Sequence, residues 1–142
     1  MRKRSRAREC ALKVLYKIDI TKDNYASALD DFWANQEIEE DISVKEFAAT
    51  IVKGVAENIQ KIDELIKKYA TNWDINRMAV VDRNVLRAAI FELLFLSDIP
   101  PKVSINEAVD LAKKFGDKDS GRFVNGILDQ IFKQEKKEAS SS

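Results

Sequence analysis

Only two residues of this 142-residue chain invite a catalytic reading, and each lacks its helpers. Cys10 is the single cysteine, and a thiolate beside Arg6 and Arg8 would be a nucleophile. No histidine is present to take its proton. Cys10 also lies on the apolar stripe of Val14 and Leu15, where cysteine behaves as a small buried hydrophobe. Glu92 is a carboxylate inside the most apolar stretch, a placement that raises the question of catalysis. Arg77, Arg83 and Arg87 are near it in sequence, so a structural ion pair is the expected arrangement. No glycine-rich phosphate loop, metal-ligand spacing or nucleophile elbow is legible. These residues predict a non-enzymatic protein without cofactor or metal.

The chemistry with a positive case is electrostatic. Overall the chain is balanced, with 24 basic and 24 acidic residues. Its first 17 residues are not: Arg2, Lys3, Arg4, Arg6, Arg8, Lys13 and Lys17 stand against Glu9 alone, a net +6. These cations precede or enter the first turn of a helix, where the backbone dipole repels them and stability alone would favour Asp, Glu or Ser. Arginine forks suit phosphate oxygens, and their planes stack on unpaired bases. Such an arm, disordered when free, would order on nucleic acid with salt-dependent affinity. The alternative is a solvated, frayed terminus. Basicity alone does not separate RNA from DNA or from anionic lipid.

Aromatic residues add a second candidate. Phe32, Trp33, Phe47, Phe91 and Phe132 fit core stripes. Tyr16 lies one position off the stripe of the first helix, beside the basic arm. Phe115 and Phe123 flank a polar loop (Gly-Asp-Lys-Asp-Ser-Gly-Arg) and could form a stacking platform for single-stranded bases, with core packing as the rival reading.

Helices must position all of these groups. With four Gly, two Pro, 45% hydrophobic and 34% charged residues, the composition is that of one helical domain. A globule this size buries roughly 68–70% of its unfolded surface and needs no disulfide. Apolar residues recur at helical spacing almost throughout. Ala7, Cys10, Ala11, Val14, Leu15 and Ile18 mark a first helix, and Ala28, Leu29, Phe32 and Trp33 a short second one. An acidic loop follows (Glu37, Glu39, Glu40, Asp41), and then Ser43 and Glu46 have capping-box spacing. The stripe from Phe47 to Tyr69 carries Gly54 and Asn58, which predicts a break near Asn58. Asn72 to Asn76 separates two helical halves. Met78 to Leu96 predicts the central buried helix, stopped by Pro100 and Pro101. Ser104 and Glu107 suggest a second capping box, Gly116 closes that helix, and Asp119 or Ser120 caps a last one through Ile131. No strand has a convincing case. The expected organisation is two small helix bundles in one compact domain: residues 1–71 with the basic arm, residues 72–135, and a flexible tail over 136–142 beginning from the unpatterned run after Phe132. No apolar run approaches the ~20 residues of a membrane span, and no signal peptide is evident, which predicts a cytoplasmic protein.

Several segments together resemble the NusB family of transcription antitermination factors. They are Arg-x-Arg-x-Arg-Glu-Cys-Ala-x-x-x-Leu-Tyr at 4 to 16; Trp73 with Val-Asp-Arg-Asn-Val-Leu-Arg-Ala-Ala-Ile-Phe-Glu-Leu-Leu at 81 to 94; Asp-Ile-Pro at 98 to 100; Ile-Asn-Glu-Ala-Val-Asp-Leu-Ala-Lys-Lys-Phe-Gly at 105 to 116; and Phe-Val-Asn-Gly-Ile-Leu-Asp at 123 to 129. Their order and spacing cover nearly the whole chain. The resemblance implies an all-α fold that binds the boxA segment of nascent RNA with NusE, also a small-subunit ribosomal protein. It further implies joining RNA polymerase and other Nus factors to suppress premature termination, notably in ribosomal RNA operons. Arg2, Lys3, Arg4, Arg6 and Arg8 match the RNA-binding arm; Tyr16, Phe115, Asp119 and Phe123 match the RNA-facing surface; Asp82 matches an acidic position near the RNA and partner surface. Asn125 and Gly126 belong to the motif, with helix packing an equal explanation. The alternatives are a helical protein-interaction adaptor and the NusB-like domain that begins certain RNA cytosine methyltransferases. The latter applies only to a fragment, because 142 residues leave no room for a methyltransferase domain. Monomer and homodimer both remain open.

Overall fold

The computed structural model describes residues 2–136; the expected tail beyond Lys136 lies outside them. Among the described residues there are seven α-helices: α1 Lys3–Thr21, α2 Tyr25–Ala34, α3 Ile42–Glu57, α4 Ile59–Tyr69, α5 Val80–Phe95, α6 Pro101–Phe115 and α7 Ser120–Ile131. A 3-10 turn at Ile75–Arg77 precedes α5, and a π turn at Phe132–Lys136 follows α7. No strand occurs among the described residues, as the helical periodicity predicts.

The helix ends follow local chemistry, but not always the chemistry expected. Asn24 caps α2 by accepting from the Ala26 amide at 2.8 Å. Asn58 serves both the end of α3 and the start of α4, and its Nδ2 donates to the Gly54 carbonyl at 2.8 Å. The predicted break is therefore real. Two capping boxes are corrected. Asp41, not Ser43, caps α3, accepting from the Ser43 amide at 2.8 Å and its hydroxyl at 2.6 Å. α6 starts at Pro101, where a missing amide costs nothing, so Ser104 lies one turn inside it. There the Ser104 hydroxyl donates to Glu92 at 2.7 Å, while Glu107 accepts from Ser5 at 2.5 Å.

α5 is the central helix, packed against α1, α3, α4, α6 and α7. Val85, Leu86, Ile90 and Leu93 are buried along it, together with the polar Asp82, Asn84 and Glu92. Phe95, read as part of this buried run, is 40% exposed and stacks on Phe91 with ring centroids 5.4 Å apart. The run after Phe132 also departs from expectation: Glu135 accepts from Lys68 at 2.9 Å and from the Tyr69 hydroxyl, tying this turn to α4.

Polar groups join α1 to the rest. Asp19 accepts from Arg83 at 2.9 Å, Asn84 at 2.8 Å and Arg87 at 3.1 Å; Arg87 also forks onto Asp63 with two 2.9 Å bonds. Burial opposes ionisation of Asp19, yet the donors from Arg83 and Asn84 and the charge of Arg87 hold its pKa below the usual value. Glu92 is not paired with Arg77, Arg83 or Arg87. Its partner is Arg8, whose Nε and Nη2 donate to the two carboxylate oxygens at 2.8 and 2.9 Å.

Candidate nucleic-acid interface

The basic arm is helical. α1 begins at Lys3, so Lys3, Arg4, Arg6 and Arg8 are fixed on its first two turns, not disordered. Arg2 occupies the N-cap without a side-chain cap bond. Helical spacing then divides the cations. Arg8 points inward and is only 5% exposed, whereas Arg2, Lys3 and Arg4 stay at the surface. The Arg4 guanidinium lies 4.6 Å from the Phe47 ring centroid, and that of Arg8 lies 5.3 Å from it. Phe47, expected in the core, is thus a half-buried platform under two arginines.

A second group of residues meets one turn further along α1. Glu9, the lone acid of the arm, is buried and accepts from Lys114 of α6 at 3.1 Å, with Arg6 and Lys13 both 3.9 Å away. Lys13 and Lys114 both approach the Phe115 ring, at 5.8 and 5.3 Å. Tyr16, 41% exposed, lies one turn beyond Lys13. The end of α6 and the middle of α1 therefore present cations and aromatic rings together.

The third group surrounds an open cleft of about 410 Å³ between the segment before α5 and the start of α7. Phe123 meets Trp73 edge-on with centroids 5.4 Å apart. Asp119 is exposed at the N-cap of α7, yet its carboxylate makes no cap hydrogen bond and stays open to a donor from outside. Asp82 is buried at the cleft, and its Oδ1 has no hydrogen-bond partner. Burial pushes the Asp82 pKa up, against the Ser120 hydroxyl and with the help of Asp117. Asp82, Asp119 and Phe123, distant in sequence, line one cleft. Trp73 escaped the residue-level reading of sites. Its signal was its isolation: a large ring in a polar connection with no apolar stripe beside it.

The candidate reactive groups are inert. Cys10 is fully buried, and burial pushes its thiol up despite the charge of Arg6. Glu92 is locked by Arg8 and Ser104. Among the described residues, no cluster of three or more His, Cys, Asp or Glu could hold a metal ion, and no helix is long and apolar enough to cross a membrane.

Such a body, with cations and the exposed ring of Tyr16 on its first helix and the half-buried ring of Phe123 at a cleft by its last, has the surface of a nucleic-acid-binding protein. Comparison with known proteins agrees. The model of the NusB family matches residues 5–133. The transcription antitermination protein NusB of Anaeromyxobacter dehalogenans strain 2CP-1 is 50% identical over 129 residues, covering 91% of this chain and 89% of that protein. The solved structure of T. maritima NusB has a TM-score of 0.85 and 42% identity, covering 95% of this chain and 96% of that one. A chain in the crystal structure of the antitermination factors NusB and NusE with dsRNA has a TM-score of 0.84 and 34% identity, covering 94% and 98%. The chain belongs to the NusB family of transcription antitermination proteins, a non-enzymatic family.

Proposed function

We propose that this protein binds boxA-type single-stranded RNA in nascent transcripts together with NusE. With RNA polymerase it forms a cytoplasmic complex that suppresses premature termination at ribosomal RNA operons. The observation that carries this reading is the cleft in which Phe123 and Trp73 meet beside the open carboxylate of Asp119. Rings without a base-pairing edge stack on any unpaired base, and a free carboxylate selects bases that offer amino groups. Arg2, Lys3, Arg4 and Arg6 supply phosphate contacts from the start of α1, and Tyr16 and Phe115 continue the surface toward α7. Arg8 contributes from inside, holding α1 in place through Glu92. Asp82, which lines the same cleft, is the residue assigned to the contact with NusE. The solved NusB relative that is in complex with NusE and dsRNA supports NusE and RNA as the classes of partner.

Titration of labelled boxA-like RNA and of a scrambled RNA, each with and without NusE, tests the proposal. Preference for the boxA-like sequence, strengthened by NusE, is the expected result. Equal binding of both sequences even with NusE present would overturn it, and binding of neither would favour a helical adaptor.

A further inference from the structure

The acidic segment between α2 and α3 plays no part in the surface described above, yet it lies directly against the arm. Both oxygens of Glu40 accept from Arg6 Nε, at 3.1 and 3.3 Å. The next residue, Asp41, holds Lys3 at 3.2 Å. Every other described cation of the first 17 residues also has an acid within 4 Å. The net +6 read from sequence is therefore largely neutralised at short range. Most of these pairs are solvent-exposed and long, such as Arg4–Asp98 at 3.9 Å, and water and salt weaken them. Arg6–Glu40 differs. Its side chains are 30% and 14% exposed, and the contact is a charge-assisted hydrogen bond. Burial works to lower the Arg6 pKa, but the hydrogen bond to Glu40 and the charges of Cys10, Glu40 and Glu9 together raise it.

We propose that Glu40 is an internal counter-ion that holds the Nε–H edge of Arg6 and competes with RNA phosphate for its charge; this inference rests on the RNA-binding reading above. The physical ground is competition for one donor edge. A phosphate oxygen and a carboxylate oxygen approach the Nε–H of a guanidinium along the same direction, so both cannot hold it at once. A phosphate that takes the Nε–H edge spends the Arg6–Glu40 contact first, and one that takes only the Nη donors meets a guanidinium whose charge Glu40 already offsets. The penalty is the same for every RNA sequence. It leaves the preference between sequences unchanged and lowers the affinity for all of them. Non-specific complexes, which rest mainly on phosphate contacts, then fall below useful affinity first. Glu40 would thus keep a cationic helix from clinging to any RNA it meets.

The opposite reading is that Glu40 positions Arg6 for RNA, and the two predict opposite signs. Glu40→Gln keeps the shape and removes the charge; Glu40→Ala is a second variant should the first lose stability. Asp41 is unsuitable because it caps α3. Glu57→Gln makes the same charge change at the far, exposed end of α3 and serves as the control. Labelled oligo(U) and boxA-like RNA are titrated at low and high salt, with unfolding midpoints measured alongside. The expected result is roughly two- to fivefold tighter binding of both RNAs by Glu40→Gln at low salt, beyond any change from Glu57→Gln and lost at high salt. Unchanged or weaker binding overturns the counter-ion role, and weaker binding assigns Glu40 to positioning. If wild type binds oligo(U) but shows no boxA preference even when NusE is added, the proposed function fails while the oligo(U) comparison still decides the role of Glu40. If neither protein binds either RNA, both proposals fall.

Discussion

Arg8 and Glu92, 84 residues apart in sequence, form a two-pronged ion pair with both side chains at most 5% exposed. Ser104 donates to the same carboxylate, and Glu107 stands 3.4 Å from the Arg8 Nη1. One guanidinium thus joins α1 to α5 and α6, and the cationic face is fixed relative to the cleft through it.

Removing one partner leaves the other charged and buried, so Arg8→Ala or Glu92→Ala is expected to cost about 3–5 kcal/mol in denaturant unfolding. The joint replacement Arg8→Met with Glu92→Leu should recover most of that loss, because desolvation offsets much of what a buried pair contributes. A double variant as unstable as the singles would contradict this account.

α3 packs tightly against the Phe91 ring at Gly54. A Cβ there would lie 2.1 Å from Phe91 Cε1 and 2.2 Å from Cζ, so the ring must move. Alanine would gain up to ~1 kcal/mol of helix propensity, against roughly 1–3 kcal/mol of overpacking. Gly54→Ala should therefore lose up to about 2 kcal/mol, and Phe91→Leu in the same chain should restore part of it. Stability equal to or above wild type in the single variant would show that α3 and α5 can separate freely.

Two carboxylates should respond to pH in opposite directions. The Ser43 hydroxyl and amide, with Lys3, hold the Asp41 pKa at about 2, below its ordinary 3.8. A lowered folded pKa contributes stability that is present above pH ~4 and lost as pH falls toward 2. Burial raises the Asp82 pKa, so its contribution is fully present below pH ~4 and declines as pH rises through the folded value. Melting temperatures of Asp82→Asn against wild type should show a gain at pH 7 that shrinks toward pH 3. Asp41→Asn, which keeps a good cap, should flatten the acid limb. A uniform offset at all pH values for either variant would refute the assignment.

Phe123 and Phe115, half-buried against the core, should matter to RNA through their ring faces. Phe123→Leu preserves apolar bulk and removes the stacking face, which is worth roughly 1–3 kcal/mol for one base. RNA titrations should show weakening of that order with the salt dependence unchanged, since phosphate contacts set the salt slope. Phe115→Leu should behave likewise, with Lys13 and Lys114 remaining in place as cations. Affinity equal to wild type in both would place the bases elsewhere.

Local chemistry made most of the helices legible. A 3.6-residue period needs no tertiary information, so α1, the break at Asn58 and the buried run of α5 follow from spacing alone. The motif series was legible too, because order and spacing survive in sequence. What only the tertiary structure decided is which charged groups meet. Arg77, Arg83 and Arg87 are near Glu92 along the chain, but the turn of α5 directs Arg83 and Arg87 to Asp19, and Glu92 is met by a helix from the other end of the sequence. Ser104 and Glu107 had capping spacing, yet Pro101 starts α6 a turn earlier and frees them for contacts between helices. The basic arm shows the same division. Its composition by itself determined that cations gather at the start of α1. Only the fold decided that one is buried, that the others each face an acid and that Glu40 occupies Arg6, because Coulomb partners are chosen by distance in space and not by separation along the chain.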